Sequence, residues 1–116
     1  MVVLDFWSVS CGPCIEEIPR LNDLAKKYSD KTTLISINSD LLYGSTKEEL
    51  QEFVAEHNIR YPVILDTQQK NLMQQFGVNG WPARFLLNKE GYFFEEPVEN
   101  RIKLSLREIE NYLKQL

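Results

Sequence analysis

The stretch "DFWSVSCGPCIEEIP", residues 5–19, contains both cysteines of the chain, separated by two residues. Before the cysteines, Val2 to Trp7 are β-branched, aromatic or apolar apart from Asp5, which predicts a strand buried on both faces. From Pro13 to Tyr28, apolar residues recur at three- and four-residue spacing, which predicts a helix with one buried face. The cysteines therefore lie where a strand meets a helix.

The rest of the chain continues to alternate strands and helices. Thr46 and Glu49 form a capping box at the start of a second helix, and Pro19 is expected to kink the first. Strands joined by helices, then a hairpin and a last helix, predict one α/β domain over residues 1–116, a mixed sheet of four or five strands with helices on both faces. The other predicted elements are strands at Thr33–Asn38, Val63–Leu65, Ala83–Leu87 and Tyr92–Glu95, a hairpin turn at Asn88–Gly91, and a helix from Thr67 to Phe76 closed by Gly77. A last helix is predicted to begin at Ser105, with Glu108 completing another capping box.

Composition and charge exclude several kinds of partner. The 116 residues include 13 basic and 17 acidic side chains, a net charge of -4, with no run of five like charges. Contact with nucleic acid or an anionic membrane is therefore not expected. No apolar stretch reaches the roughly 18 residues of a membrane span, and "MVVLDFW" has neither a basic leader nor a cleavage site. Because strand-like residues begin at Val2, we expect that a leader or anchor was removed before Met1.

The position of the cysteine pair favours redox chemistry. Cys11 is placed at or beside a helix N-terminus, where unpaired N–H groups and the helix dipole stabilise a thiolate and lower the pKa of the thiol. Cys14, one turn further along, reaches the same sulfur and is expected to be less exposed, which suits it to resolve a mixed disulfide. Gly12 and Pro13 allow the tight turn between them.

Two other uses of the cysteines remain open. A structural disulfide that closes so small a loop removes little entropy from the unfolded chain and so stabilises little. A zinc site needs about four ligands, and the chain offers two cysteines and one distant histidine, His57, unless a metal bridges two molecules. His57 itself is most simply a packed or half-exposed side chain on the inner face of its helix.

Asp5 is a carboxylate within an otherwise apolar strand, six residues before Cys11. Burial raises the pKa of a carboxyl group, so Asp5 is expected to exchange a proton near neutral pH, with Cys14 as its partner. The alternative is that Asp5 lies at a position reached by solvent or caps a local turn.

The same residues resemble a known family. "DFW", "CGPC" and Pro19, eight residues after the first cysteine, resemble the active-site stretch of thioredoxins. The pattern "CxxExPxL", from Cys14 to Leu21, and the segment Leu41 to Asp66 that ends in "YPVILD" resemble TlpA-like thiol-disulfide oxidoreductases, including those that serve cytochrome c maturation. The resemblance implies a thioredoxin-like fold with a helix and an edge strand inserted at about 41–66, and with its N-terminal segment missing or trimmed.

The second landmark of that family is a cis-proline at the start of the first hairpin strand, facing the cysteines, and "GWPARFLLNKEG" puts it at Pro82. The resemblance implies that the main chain of Trp81 pairs with an extended client segment. This chain departs from the family at Ser10, where a tryptophan is usual, and at Trp81 and Ala83, where a threonine is often found. Residues expected to contact the client are Trp7, Gly12, Pro13, Trp81 and Pro82.

The expected function is reduction of protein disulfides, with Cys11 as nucleophile, Cys14 as resolving cysteine and Asp5 as proton acceptor and donor. The redox-active disulfide replaces any metal or organic cofactor. The expected partners are a client protein with a disulfide or dithiol and an upstream thiol donor, for a monomer working outside the bacterial cytoplasm.

Two other classes of function fit the sequence less well. A thiol peroxidase carries the motif P-x-x-x-[ST]-x-x-C, and nothing upstream of Cys11 supplies the proline. A non-catalytic metal-binding module, such as a copper chaperone on the same fold, needs a wider cysteine spacing and a later histidine.

Overall fold

The computed structural model describes residues 1–88 and 104–116. The predicted strand Tyr92–Glu95, and all but the first residue of the turn Asn88–Gly91, lie outside the described residues. The strands are β1 (Val2–Trp7), β2 (Thr33–Asn38), β3 (Val63–Leu65) and β4 (Ala83–Leu87); the helices are α1 (Gly12–Glu16), α2 (Ile18–Lys27), α3 (Lys47–Glu56), α4 (Leu72–Gln75) and α5 (Leu106–Lys114), with a short 3-10 helix at Asp40–Tyr43.

The four strands form one sheet in the order β3-β2-β1-β4. β1 and β2 are parallel, as are β2 and β3, whereas β4 runs antiparallel to β1. In this register Asp5 lies opposite Ser36 of β2 and Arg84 of β4. The described part of the chain thus confirms the mixed sheet, and α3 with the edge strand β3 matches the helix and strand expected within 41–66.

Helices cover both faces of the sheet because β1 has no polar face. Val3 is fully buried and packs with Leu21 of α2 and Ile109 of α5. Phe6, three residues further along β1, points to the other face and packs with Met73 of α4. α5 begins with the predicted capping box, in which the Ser105 hydroxyl and the Glu108 carboxylate each accept a main-chain N–H from the other residue, at 3.1 Å in both directions.

The helix that follows the cysteines is divided into two. α1 ends at Glu16 and α2 begins at Ile18, with Glu17 between them at φ -88° and ψ -5°. Pro19 occupies the first turn of α2, where its missing N–H costs no helical hydrogen bond. The kink expected from Pro19 is therefore a break between two helices, and it places Glu17 at the junction.

The predicted helix from Thr67 to Phe76 is wrong in its start, because only Leu72–Gln75 is helical. The buried carboxylate of Asp66 accepts the N–H groups of Leu72 and Met73 at 2.8 and 3.1 Å, which satisfies the free donors of the first turn. Asn71, at φ +42°, prevents the helix from extending backward. Gly77 ends the element at φ +67°, as predicted.

The other predicted capping box lies at the start of α3. The Thr46 hydroxyl accepts the N–H of Glu49 at 3.1 Å, and the Glu49 carboxylate accepts the N–H of Thr46 at 3.2 Å. Within residues 1–88 and 104–116, no helix combines the length and apolar character needed to cross a membrane.

Candidate active site

The two cysteines form a disulfide at the end of β1, with their Cα atoms 5.3 Å apart. Cys11 is the N-cap of α1, and its sulfur accepts the main-chain N–H of Cys14 at 3.3 Å. Cys11 is 8% exposed and Cys14 is 3% exposed. Gly12 and Pro13 are exposed beside them. The predicted position of Cys11 at a helix N-terminus, and its greater exposure, are both confirmed.

Aromatic side chains surround the sulfur atoms on the protein side. Trp7 is 3% exposed and packs with both cysteines, and its ring lies 5.7 Å from that of Phe53. Phe53 in turn stacks on His57 at 3.8 Å. Trp7 therefore packs against the disulfide from the protein interior, and its expected contact with a client stays a prediction. His57 is half-buried and packed, as expected.

The Trp81–Pro82 peptide bond is cis, as the resemblance implies. Both residues are half-buried, and Trp81 packs against the group formed by Trp7 and the two cysteines. The ring of Tyr43, which is 68% exposed, meets the Trp81 indole edge to face with centroids 5.8 Å apart. An aromatic pair thus lies next to the disulfide. Tyr43 could not be identified from the sequence, because nothing near it in the chain indicates that the 3-10 helix Asp40–Tyr43 packs against Trp81.

Asp5 is buried, with 2% of its surface exposed, and its partner is Arg84 rather than solvent. The Arg84 Nε donates to Asp5 Oδ1 at 2.9 Å, and the two Nη atoms donate to the Glu17 carboxylate at 3.2 and 3.4 Å. Burial raises the pKa of Asp5 to about 6; the Arg84 charge opposes that rise and the Glu17 charge adds to it. The predicted burial and raised pKa are confirmed, and the alternative of a solvent-reached position or turn cap is wrong.

Asp5 lies on the same face of the sheet as Trp7, which packs with the two cysteines. Side chains alternate along a strand, so Val3, Asp5 and Trp7 share one face. Val3 packs with Leu21 of α2, and Trp7 packs with Cys14 of α1. Asp5 lies between them, beneath the junction of the two helices, which is where Arg84 meets Glu17.

Sequence reasoning missed Arg84. It stands in the apolar run "ARFLL", and a basic residue inside a predicted central strand is the same kind of signal as an acidic one. Pairing the two would have required the register of β4 against β1, because 79 positions separate them.

A second buried carboxylate, Asp40, holds the loop that precedes Cys11. It is 5% exposed. Its Oδ1 accepts the Ser8 hydroxyl at 2.7 Å, and its Oδ2 accepts the Val9 N–H at 2.9 Å and the Asn38 side-chain amide at 2.7 Å. Asp40 therefore fastens residues 8 and 9 to the end of β2.

Ser10, the departure from the family's tryptophan, belongs to the same network. Its main-chain N–H donates to the Ser8 hydroxyl oxygen at 3.2 Å, and the two hydroxyl oxygens are 2.9 Å apart. Because Ser8 has one hydroxyl proton and directs it to Asp40, the Ser10 hydroxyl is the donor toward Ser8. The Ser8 carbonyl accepts the N–H of Cys11 at 3.1 Å, so the network ends at the reactive residue.

No three His, Cys, Asp or Glu side chains come together as a metal-binding group anywhere in the part of the chain that the structure describes.

Comparison with known proteins places this geometry in a family. The model of the AhpC/TSA family matches residues 1–93. The thiol-disulfide oxidoreductase ResA of Bacillus thuringiensis strain Al Hakam is 32% identical over 116 residues, which are 99% of this chain and 62% of that protein. The thioredoxin-like protein YneN of Bacillus subtilis is 28% identical over 90 residues, 78% of this chain and 51% of the relative. The chain therefore spans less than two thirds of the length of these relatives.

Solved structures agree with the sequence relatives. The crystal structure of StoA from Bacillus subtilis superposes with a TM-score of 0.72 at 26% identity, over 82% of this chain and 69% of that one. A thiol:disulfide interchange protein DsbE from Chlorobium tepidum gives 0.75 at 25% identity, over 98% and 75%. With the family model covering most of its residues and the cysteine pair, cis-proline and sheet in place, this chain belongs to the AhpC/TSA family and has the thioredoxin-like fold.

Proposed function

We propose that this chain is a thiol-disulfide oxidoreductase domain that reduces protein disulfides. The observation that carries the proposal is the placement of Cys11: its sulfur caps a helix, accepts the Cys14 N–H, and is the more exposed of the pair. Such a site lowers the pKa of a thiol and creates a nucleophile at neutral pH. The names of the relatives, thiol-disulfide oxidoreductase and thioredoxin-like protein, support the same chemistry.

The reaction begins from the dithiol. The Cys11 thiolate attacks one sulfur of a client disulfide, the client S–S bond breaks, and the other client sulfur leaves as a thiolate. Cys14 then loses its proton to Asp5 and attacks the Cys11 sulfur, which releases the client's second sulfur and leaves Cys11–Cys14 oxidised. Asp5 returns its proton to the departing thiolate. A separate thiol donor restores the dithiol, so no other cofactor takes part.

The client binds where the disulfide reaches the surface. Gly12 and Pro13 are exposed on one side of the sulfur atoms, and Trp81 and Pro82 are half-buried on the other. The Trp81 main chain pairs with an extended client segment in this proposal, while its indole covers the disulfide.

Thiol peroxidase activity is disfavoured by the network around Asp40. In the peroxidase motif a hydroxyl residue stands three positions before the cysteine, and Ser8 occupies that position here. The Ser8 hydroxyl donates to Asp40 at 2.7 Å, so its proton is not free for a peroxide, and Leu4 stands where the motif has proline.

We also propose that the full protein works as a monomer outside the cytoplasmic membrane, because the TlpA-like resemblance points there and because disulfide exchange on folded clients suits oxidising compartments. Fractionation of cells that express the full-length protein tests the location. Recovery in the cytosolic fraction with both cysteines permanently reduced would contradict it.

Reduction of insulin by dithiothreitol tests the activity. Wild type should accelerate the reaction, and both Cys11→Ala and Cys14→Ala should abolish the acceleration because each lacks half of the couple. Cys14→Ser should accumulate a mixed disulfide at Cys11, and alkylation of Cys11 against pH should show a midpoint well below ~8.5. A wild type no faster than dithiothreitol alone would rule the proposal out.

A further inference from the structure

We propose that Arg84 is a positioning residue of the redox reaction: its guanidinium keeps Asp5 in the ionised form that accepts the Cys14 proton, and Glu17 holds the guanidinium while Asp5 is neutral. The inference rests on the proposed function and concerns the second of its two chemical steps. It assigns a role to the ion cluster formed by Asp5, Arg84 and Glu17.

The cluster is built from three separate elements. Arg84 lies directly opposite Asp5 in the antiparallel pair of β4 and β1, so both side chains point to the face of the sheet that α2 and α5 cover. Arg84 is 3% exposed and its Nε is 2.9 Å from Asp5 Oδ1. Glu17, at the junction of α1 and α2, binds the other edge of the guanidinium and is 26% exposed. The cluster thus connects the strands β1 and β4 to the end of α1, the helix that carries Cys14.

The number of charges fits a carboxyl group that changes its protonation state. A simple buried ion pair needs one carboxylate, and losing that carboxylate's charge leaves an unpaired buried cation, which is costly. Here two carboxylates share one guanidinium. When Asp5 takes a proton, Arg84 remains paired with Glu17, so protonation does not leave its charge unpaired.

The groups that face Asp5 act on it in opposite directions. Arg84 from β4 favours the carboxylate, and Glu17 from the helix junction disfavours it. Tyr61, from the segment before β3, senses the Asp5 charge but stays a neutral phenol, because burial raises the pKa of its hydroxyl well above the normal value. Ser36 of β2, opposite Asp5 in the register, carries no charge. Removing the charge of Arg84 and of Glu17 should therefore shift the proton transfer in opposite senses.

Resolution of the mixed disulfide is a proton transfer followed by thiol–disulfide exchange. The Cys14 S–H bond breaks and its proton forms an O–H bond on Asp5. The Cys14 thiolate then forms the S–S bond to Cys11, and the electron pair of the old mixed disulfide leaves with the other sulfur. An ionised Asp5 is needed before the step begins, and Arg84 provides that condition.

A reaction of the reduced protein with one equivalent of 5,5'-dithiobis(2-nitrobenzoate) separates the two steps. The first release of thionitrobenzoate reports attack by Cys11, and the second reports resolution by Cys14. Thionitrobenzoate leaves as an anion across the pH range used, so the second phase depends on removal of the Cys14 proton and not on protonation of the leaving group. Stopped-flow traces from about pH 4.5 to pH 8.5 give a midpoint for each phase.

Arg84→Met should move the midpoint of the second phase upward by about one pH unit or more, because an adjacent opposite charge typically lowers a carboxyl pKa by 1–3. Glu17→Gln should move it downward. Arg20→Met is the matched control: Arg20 pairs with Glu110 on the surface, and its removal should leave both midpoints in place. In an Asp5→Asn background, Arg84→Met should produce no further shift, since the group it acts upon is gone.

These measurements distinguish a failure of the proposed function from a failure of the inference about Arg84. If the wild type shows no first phase, the proposed function fails. If the first phase is normal and Arg84→Met slows the second phase equally at all pH values, Arg84 is only structural and the inference is overturned. Should Arg84→Met fail to fold, Glu17→Gln decides, because an unchanged or raised second-phase midpoint in that variant equally overturns the inference.

Discussion

Ser8 provides the sharpest test of the network that holds the loop before Cys11. Its side chain is 1% exposed, and its hydroxyl is the donor to Asp40 Oδ1. The other two donors to Asp40, the Val9 N–H and the Asn38 amide, both reach Oδ2. Ser8→Ala therefore leaves Oδ1 of a buried carboxylate without its donor, and it removes the acceptor that Ser10 uses.

The size of the effect follows from the kind of bond. A hydrogen bond to a charged group contributes about 1.5–3 kcal/mol, and a buried acceptor left unpaired costs a similar amount. We expect Ser8→Ala to lower the free energy of unfolding by about 2 kcal/mol. At roughly 4 °C per kcal/mol for a chain of this length, the melting temperature should fall by about 8 °C.

Thermal and urea unfolding of the oxidised protein measure this difference, with Ser10→Ala as the control. Ser10 is exposed, and water replaces the bond that its hydroxyl makes, so its loss should cost no more than about 0.5 kcal/mol. Equal stabilities for Ser8→Ala and Ser10→Ala would refute the reasoning, since they would show that the Asp40 contact contributes nothing measurable.

Three further predictions follow from burial and capping. The pKa of Asp5 is about 6 in the folded protein against 3.8 ordinarily, so between these pH values the folded state binds one more proton than the unfolded state. As pH rises through that window, the free energy of unfolding of the wild type, relative to that of Asp5→Asn, should therefore fall by about 3 kcal/mol, at about 1.4 kcal/mol per pH unit. A difference that does not change with pH in urea unfolding would contradict this expectation. Ser105→Ala should cost about 1 kcal/mol by removing the cap of α5, whereas Ser105→Asp should retain most of that stability. Leu113→Ala should cost about 2–5 kcal/mol because Leu113 is fully buried, and a loss below 1 kcal/mol in calorimetry would exclude a tightly packed core there.

The strands, the capping boxes and the cysteine site could be predicted because each depends on residues close together in the chain. β1 is apolar or aromatic apart from Asp5, and the capping box of Thr46 needs only the residue three positions later. The start of α4 could not be predicted, because the main-chain donors of its first turn are satisfied by Asp66, six positions before Leu72. A helical pattern alone does not show where such a carboxylate will bind.

The polar partners in the site depend on distant residues. Ser8 and Asp40 are 32 positions apart, and Asp5 and Arg84 are 79 apart. None of these residues indicates by itself which partner it will bind. Only the order and register of the sheet bring them together, and the sequence pattern fixes neither to a single residue.

The wide separation of β1 and β4 along the chain has a consequence during biosynthesis. A polypeptide leaves the ribosome N-terminus first, so Cys11 and Cys14 emerge, and become available to oxidants, long before Arg84 has been made. At that stage Asp5 is an ordinary solvated carboxyl group with no cation beside it. The nascent chain thus carries a dithiol without its tuned proton acceptor, and the complete site assembles only when β4, the last strand of the sheet described, docks along β1.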